Sequence, residues 1–497
     1  MATNHNSNKN ILINEEWFNM NPTLPTLIPY RDHYPYVPVM VKRPLTAFDP
    51  LAVAKIVHQM GNGFALTIDR HQRYSYFSFE PQQSLTGQGL AKDDRPANET
   101  LQAILDQYRT PRIQGLPPFT GGLIGYFGYE YVQQFVSKLQ LKSAATTGLD
   151  DLGLFLVTSV LVYDHRHHEL GLTQLIPTVN LTATYAATQA KLTQKLTAII
   201  QQLQQPLALP PFRLQQPLQM QADQATYARR VDHIRQHIYA GDIFQMIYAN
   251  PCLGTMEGSL LAVYQQLQKT VAPYNCYFKQ ADFEMTAASP ETLVTKDGEQ
   301  VATYPLAGTR RRGRTPAEDQ QLAHELQTSP KEVAEHNMLV DLGRNDLGQV
   351  AKFKSVRVTN LRRLIRYSQV MHLGSRVAAE VAPTTTALQV LAATFPAGTL
   401  AGAPKVEAMT LINHYEQVPR GVYGGCFGYL DCNGNLDMAI GIRLAYRMNE
   451  RLVIPAGAGI VADSIGIQEF KECQNKQRVV VKAVQDAERL ADDGIIN

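Results

Sequence analysis

Glycine breaks the apolar runs of this chain at close intervals, and that pattern limits the fold more than any other feature. Residues 121–130 read GGLIGYFGYE, with glycine at 121, 122, 125 and 128. Glycine accepts dihedrals and backbone approaches that a side chain forbids, so such a run belongs where main chains meet closely. Around it, from about 25 to 170, short strand-like runs alternate with turn residues. Phe64–Ile68 is one, Arg73–Phe77 another, and Leu154–Tyr163 (LFLVTSVLVY) predicts a single buried strand rich in β-branched residues. Strict alternation of strand and helix is absent. No G-x-G-x-x-G follows a strand and no G-x-x-x-x-G-K-[ST] occurs, so neither a Rossmann nor a P-loop nucleotide site is supported. The class is α+β, with mixed or antiparallel sheets.

A change of character divides the chain. Ala183–Leu203 is rich in Ala, Gln, Leu and Lys and reads as a helix. Prolines at 206, 210, 211 and 217 follow it, and proline interrupts regular structure. The expected organisation is an N-terminal domain over 20–175, a linker region over 176–222 and a catalytic domain over 223–490. Further helices are expected at Gln224–Tyr239, Pro330–Leu342, Thr386–Phe395, Pro404–His414 and Gln468–Leu490.

Composition excludes several functions. The chain has 497 residues, 44% of them hydrophobic, enough to fill a large core. Lys plus Arg number 46 and Asp plus Glu 44, a formal charge of only +2. No field of one sign exists to attract nucleic acid or a membrane face. No run of about 18 apolar residues could span a bilayer, and the Asn-rich start lacks a signal peptide's apolar stretch. The five cysteines, at 252, 276, 426, 432 and 473, form no C-x-x-C pair. That usage fits unpaired thiols in a reducing compartment, and the expected setting is cytoplasmic.

The chemistry concentrates in the C-terminal half. Glu332 and Glu335 sit three apart, as do Glu469 and Glu472. On helices each pair shares a face. Each alone is also what a solvated helix face looks like. Together, two helices offering carboxylates toward one point would make an all-oxygen site suited to Mg²⁺. Behind the first pair follow Asp341, Arg344, Asn345 and Asp346. Three glycine-broken turns are expected at 305–313 (PLAGTRRRG), 396–405 (PAGTLAGAPK) and 456–464 (AGAGIVADS). With Arg443 and Lys476 they could bind a small dicarboxylate through peptide N–H groups. His336 and His372 are candidate histidines, although a lone histidine is more often structural. Glu291, in SPE (289–291), would act as a general acid if burial kept its proton.

Read in order, these segments resemble the chorismate-binding enzymes, and within them the anthranilate synthase component I family. The resemblance rests on RYS (73–75), PFTGGLIGYFGYE (118–130), GDIFQ (241–245), SPE (289–291), PLAGTRRRG, EHNMLVDLGRND, YSQVMH, PAGTLAGAPKVEAM, IGIRL (440–444) and GAGIVADS. It implies an anthranilate synthase component I-like fold: large antiparallel or mixed sheets, helices packed outside and two closely packed lobes. It also implies roles. Glu335 and Glu472 would bind Mg²⁺ directly, with Glu332 and Glu469 beside them. Tyr423, Arg443, Gly457, Ala458 and Gly459 would hold chorismate's carboxylates, with Lys476 nearby. Glu291 would help the C4 hydroxyl leave, His372 would serve the aromatising step, and Gly308 and Thr309 would sit beside the ring.

Two positions separate relatives. Members that add water use a lysine where this chain has Gln245. Many aminodeoxychorismate synthases carry a lysine where this chain has Ala307. Gln245 argues against isochorismate or salicylate synthase, and Ala307, with PAGT (396–399) and AGAPK (401–405), favours anthranilate as the product, in the tryptophan pathway, with the folate-pathway aminodeoxychorismate synthase component I as the alternative. The chain carries no glutaminase signature, so the resemblance implies a separate glutamine amidotransferase subunit (component II) as ammonia donor, in a hetero-tetramer. Departures occur too. ALTID (65–69) and TVAPYN (270–275) replace the family's usual Leu-Leu-Glu-Ser and Asn-Pro-Ser-Pro-Tyr-Met segments, so weak inhibition by tryptophan is expected. IGIQ (465–468) stands where relatives carry a Pro-Glu pair.

Overall fold

In the computed structural model, residues 20–68, 74–90, 95–143, 147–205, 208–367 and 370–492 are described. The Asn-rich start, Arg73 of the RYS segment and Ser368 and Gln369 of YSQVMH lie outside them. Two large sheets dominate. One has eleven strands, from Tyr36–Pro44 at one edge to Phe212–Met220 at the other. The second has ten, with Leu306–Arg311 and Gln83–Thr86 at the ends of its main path and Arg357–Arg366 paired on Val370–Glu380. A small three-stranded sheet joins Gly402–Ala403, Gln245–Ala249 and Gly457–Ile460. The described strand pairs are antiparallel, as in Tyr36↔Pro177 and Tyr274↔Ile68.

The large sheets face each other over an aromatic layer. Phe64, Phe278 and Phe283 from one meet Tyr126, Phe155 and Phe427 from the other, all buried. Tyr126 and Phe278 lie edge to face at 5.4 Å, a favoured aromatic geometry. The glycine run serves this packing. A Cβ on Gly122 would lie 2.2 Å from the Leu430 carbonyl oxygen, and one on Gly125 would lie 2.1 Å from that of Gly153. Only glycine lets neighbouring strands come so close.

Leu154–Tyr163 is not one strand. It forms Leu152–Val157 in the ten-stranded sheet and Leu161–Asp164 in the eleven-stranded one. Thr173 stabilises the bend between them: its hydroxyl accepts from Val160 N at 3.1 Å and its carbonyl accepts from Ser159 Oγ at 2.9 Å. Apolar periodicity does not reveal a strand that changes sheets, because both halves remain buried.

The region 176–222 carries the helix Leu181–Leu203 and the edge strand Phe212–Met220, so it enters the folded body. Each large sheet joins a block of strands from before it to a block from after it, through Asn62–Ile68 paired with Tyr274–Gln280 in one and Gly122–Phe127 paired with Cys426–Asp431 in the other. The remaining expected helices are found at Gln224–Ala240, Pro330–Gly348, Ala387–Thr394, Lys405–Tyr415 and Gly466–Asp492. The second runs on past Leu342. Gly343 allows this, because a Cβ there would meet Thr303 Oγ1 at 2.9 Å.

Candidate active site

The two Glu-x-x-Glu pairs start two helices. Ser329 caps Pro330–Gly348, its hydroxyl accepting from Glu332 N at 3.5 Å, and Pro330 occupies the first turn. Glu332 lies in that first turn, and Glu469 in the first turn of Gly466–Asp492. Carboxylates are favoured there, where free N–H groups and the helix dipole point at them. Glu335 and Glu472 follow one turn later. All four line one cleft of about 2300 Å³, including its open mouth.

The carboxylates sense one another across this cleft. Burial raises the pKa of Glu335, and the charges of Glu332 and Glu472 add to the rise. Burial likewise raises Glu469, with Glu472 adding, while a 2.8 Å hydrogen bond from Ser464 Oγ opposes it. Cations answer part of this charge. Arg310 Nη1 lies 2.9 Å from Glu332, and Lys476 Nζ lies 3.0 Å from Glu472. Gly308 makes room for Glu332: its φ is +66°, and a Cβ would stand 2.9 Å from Glu332 Oε2. Among the described residues no three His, Cys, Asp or Glu side chains are drawn close enough to hold a metal ion. The donor chemistry nonetheless suits a hard divalent cation: four carboxylates, two of them destabilised as anions, line one cleft from two helices.

Glu291 lines the same cleft. It is 8% exposed, and burial raises its carboxyl to about 7, although the Thr399 hydrogen bond and the Lys476 charge both lower it. Thr399 Oγ1 donates to Glu291 Oε1 at 3.2 Å. A carboxyl that keeps its proton near neutral pH is a general acid.

His372 sits opposite Thr309 in the strand pair formed by Leu306–Arg311 and Val370–Glu380. Its Nδ1 lies 2.9 Å from the Gly308 carbonyl and 3.1 Å from Thr309 Oγ1. The carbonyl only accepts, so Nδ1 carries the proton and Nε2 the lone pair. Burial lowers the pKa of His372, and Arg443 also lowers it. The ring is therefore neutral at pH 7.

Arg443 occupies a left-handed backbone conformation, φ +52°, a strain on the order of 1 kcal/mol that is typically found at functional sites. Its Nη1 donates to the Lys476 carbonyl, and Lys476 Nζ donates to the Gly457 carbonyl at 3.0 Å. Gly457 and Gly459 line the cleft from one strand. A Cβ on Gly457 would stand 2.9 Å from the Tyr423 hydroxyl, and one on Gly459 2.8 Å from Gln245 Nε2.

Other expected residues lie away from the cleft lining. Ala458 lies between two cleft-facing glycines, and alternate strand residues face opposite ways. It is fully buried in the core behind them. His336 is also interior: Nε2 lies 2.6 Å from Ser375 Oγ, and burial lowers its pKa to about 4. Asp341 and Arg344 pair with each other in solvent, and Asp346 binds Lys405 at 3.0 Å. None of these lines the cleft. The expected turns are partly strand, at 306–311, 402–403 and 457–460, because their glycines permit close pairing rather than reversal. The start of the helix Lys405–Tyr415 lies outside the cleft, while Thr399 and Leu400 line it. Thr399, unmarked as a ligand of Glu291, could have been found only by asking what faces Glu291 from the PAGT segment.

Residues 63–482 match the chorismate binding enzyme family. The chain belongs to that family. Among curated members, anthranilate synthase component 1 of Neisseria gonorrhoeae is 38% identical over 392 residues, covering 78% of this chain and 79% of that one. The same-named protein of Mycolicibacterium smegmatis is 40% identical over 424 residues, covering 81% and 80%. The crystal structure of anthranilate synthase component I from Streptococcus pneumoniae superposes with a TM-score of 0.71 at 32% identity, over 82% of this chain and 92% of that one. This chorismate binding enzyme also shares its fold with the menaquinone-specific isochorismate synthase of Escherichia coli, TM-score 0.68 at 17% identity. Among the described residues no helix is long and apolar enough to cross a membrane.

Proposed function

We propose that this chain is the aminating subunit of an anthranilate synthase, converting chorismate and ammonia to anthranilate, pyruvate and water. The observation that carries this reading is that neither Gln245 nor Ala307, both lining the cleft with Glu291, offers a lysine amine. Without a lysine at either position, the reading favours ammonia from outside the chain over a lysine nucleophile or a lysine-activated water.

Chorismate is a dianion whose C4 hydroxyl leaves poorly. Arg443, Lys476, Tyr423 and the N–H groups around Gly457 and Gly459 bind its carboxylates. Glu335 and Glu472 would hold Mg²⁺, with Glu332 and Glu469 beside them. The ion would neutralise the ring carboxylate and fix the ring. Glu291 gives its proton to the C4 oxygen, which departs as water while ammonia adds at C2 and the double bonds shift. His372, neutral with its lone pair on Nε2, takes the C2 proton. The C3–O bond breaks, the enolpyruvyl group leaves as its enolate and takes the proton from His372 to become pyruvate, the ring becomes aromatic, and the proton shed by the added ammonia returns to Glu291. Thr309 holds His372 in place. A glutamine amidotransferase subunit would supply the ammonia.

One assay tests this. Purified protein receives chorismate, Mg²⁺ and ammonium, and products are separated by chromatography. Fluorescent anthranilate is the expected product. Accumulation of aminodeoxychorismate without anthranilate would assign the chain to the folate pathway instead.

A further inference from the structure

Arg420 lies only 5% exposed behind the cleft and does not line it. Its guanidinium nevertheless reaches three cleft-wall segments. Nη1 donates to the Leu400 carbonyl at 2.5 Å and Nη2 to the Ile247 carbonyl at 2.8 Å. The guanidinium lies 5.6 Å from the centre of the Tyr423 ring and 4.6 Å from that of Tyr129. Leu400, Ile247 and Tyr423 all line the cleft. Glu416 balances the charge, accepting from Nε at 2.8 Å. Glu130 holds the backbone of this turn, accepting from Arg420 N at 2.7 Å and Gly421 N at 3.0 Å.

We propose that Arg420 is a positioning residue for the general acid: through the Leu400 carbonyl it holds Thr399, the preceding residue, against Glu291. This rests on Glu291 being the acid of the proposed reaction. An ion pair with Glu416 alone would need no planar fork. Arginine's fixed donors can serve a carboxylate and two carbonyls at once, whereas a lysine ammonium is a point charge on a flexible stem. The groups facing Glu291 are few. Thr399 and Lys476 lower its pKa, burial raises it more, Tyr367 couples to it electrostatically, and Asp346 lines a small cavity on its other side. Displacing Thr399 therefore moves Glu291 further up.

The test compares pH profiles of kcat/KM for wild type, T399V, R420K and T399V/R420K. T399V is expected to move the basic limb upward and lower kcat. R420K is expected to lower kcat by about 10- to 100-fold, the scale of a small misplacement, and to move the same limb upward. The double variant is expected to show no further shift, because both changes remove one contact. If R420K folds poorly, R420M/E416L removes both charges, leaves neither unpaired, and gives the same readout. A wild-type basic limb in the Arg420 variants, with T399V shifted, would overturn the role of Arg420 alone. An unshifted limb in T399V would overturn the assignment of Glu291 as the acid, and this proposal with it.

Discussion

The Gly308 carbonyl lies 2.9 Å from Nδ1 of His372 and so decides which ring nitrogen keeps the proton. This places the lone pair on Nε2, and the proposed reaction uses His372 as a base. Substituting His372 by Gln is expected to slow aromatisation more than amination. The aminated intermediate that still carries its enolpyruvyl group should then accumulate, and chromatography of a quenched reaction measures it. Anthranilate formed at the wild-type rate would refute the role.

The pH dependence follows from two opposite requirements. In the proposed reaction Glu291 acts while protonated, so activity should fall as pH rises through its value of about 7. His372 acts while neutral, and burial lowers its pKa below the usual 6.5, so activity falls only in more acid solution. The profile of kcat/KM should be bell-shaped, with a basic limb near 7 that E291Q abolishes along with most activity.

Glu291 should also destabilise the protein. Its folded pKa exceeds the ordinary glutamate value of 4.5, so the folded state holds its proton more tightly. The penalty is absent below pH 4.5, grows between 4.5 and 7, and is complete above 7. E291Q should therefore be more stable than wild type at pH 8, by up to about 3 kcal/mol, and nearly equal at pH 4. Urea denaturation at both pH values measures this. A destabilised E291Q at pH 8 would mean that the carboxyl is not strained in the wild type.

Glu335→Gln and Glu472→Gln should leave the fold intact by circular dichroism. Each should weaken Mg²⁺ binding by more than about 100-fold, beyond the usual effect of an outer partner. Calorimetric titration with Mg²⁺ provides a readout separate from activity. Wild-type affinity in either variant would remove that glutamate from the ligand set.

Tryptophan should inhibit weakly. The two segments that depart from the family pattern lie side by side, with Tyr274 paired to Ile68. Tyr274 is fully buried, and its hydroxyl is engaged with Thr292 at 2.9 Å and Asp437 at 2.7 Å. Tight tryptophan binding by calorimetry, competitive with chorismate, would contradict this.

Local spacing determined much of this protein. A three-residue interval puts two glutamates on one helix face whatever surrounds the helix, so both carboxylate pairs were legible. Glycine's lack of a side chain marked the places of closest backbone approach, and the order of motifs marked the family. Tertiary structure decided the rest, because the relevant distances join segments far apart in the chain. Thr399 meets Glu291 across 108 positions, and Arg420 reaches back to Ile247 across 173. Which neighbour faces the cleft was equally hidden: Gly457 and Gly459 do and Ala458 does not, since only strand pairing sets which side of the pleat looks outward.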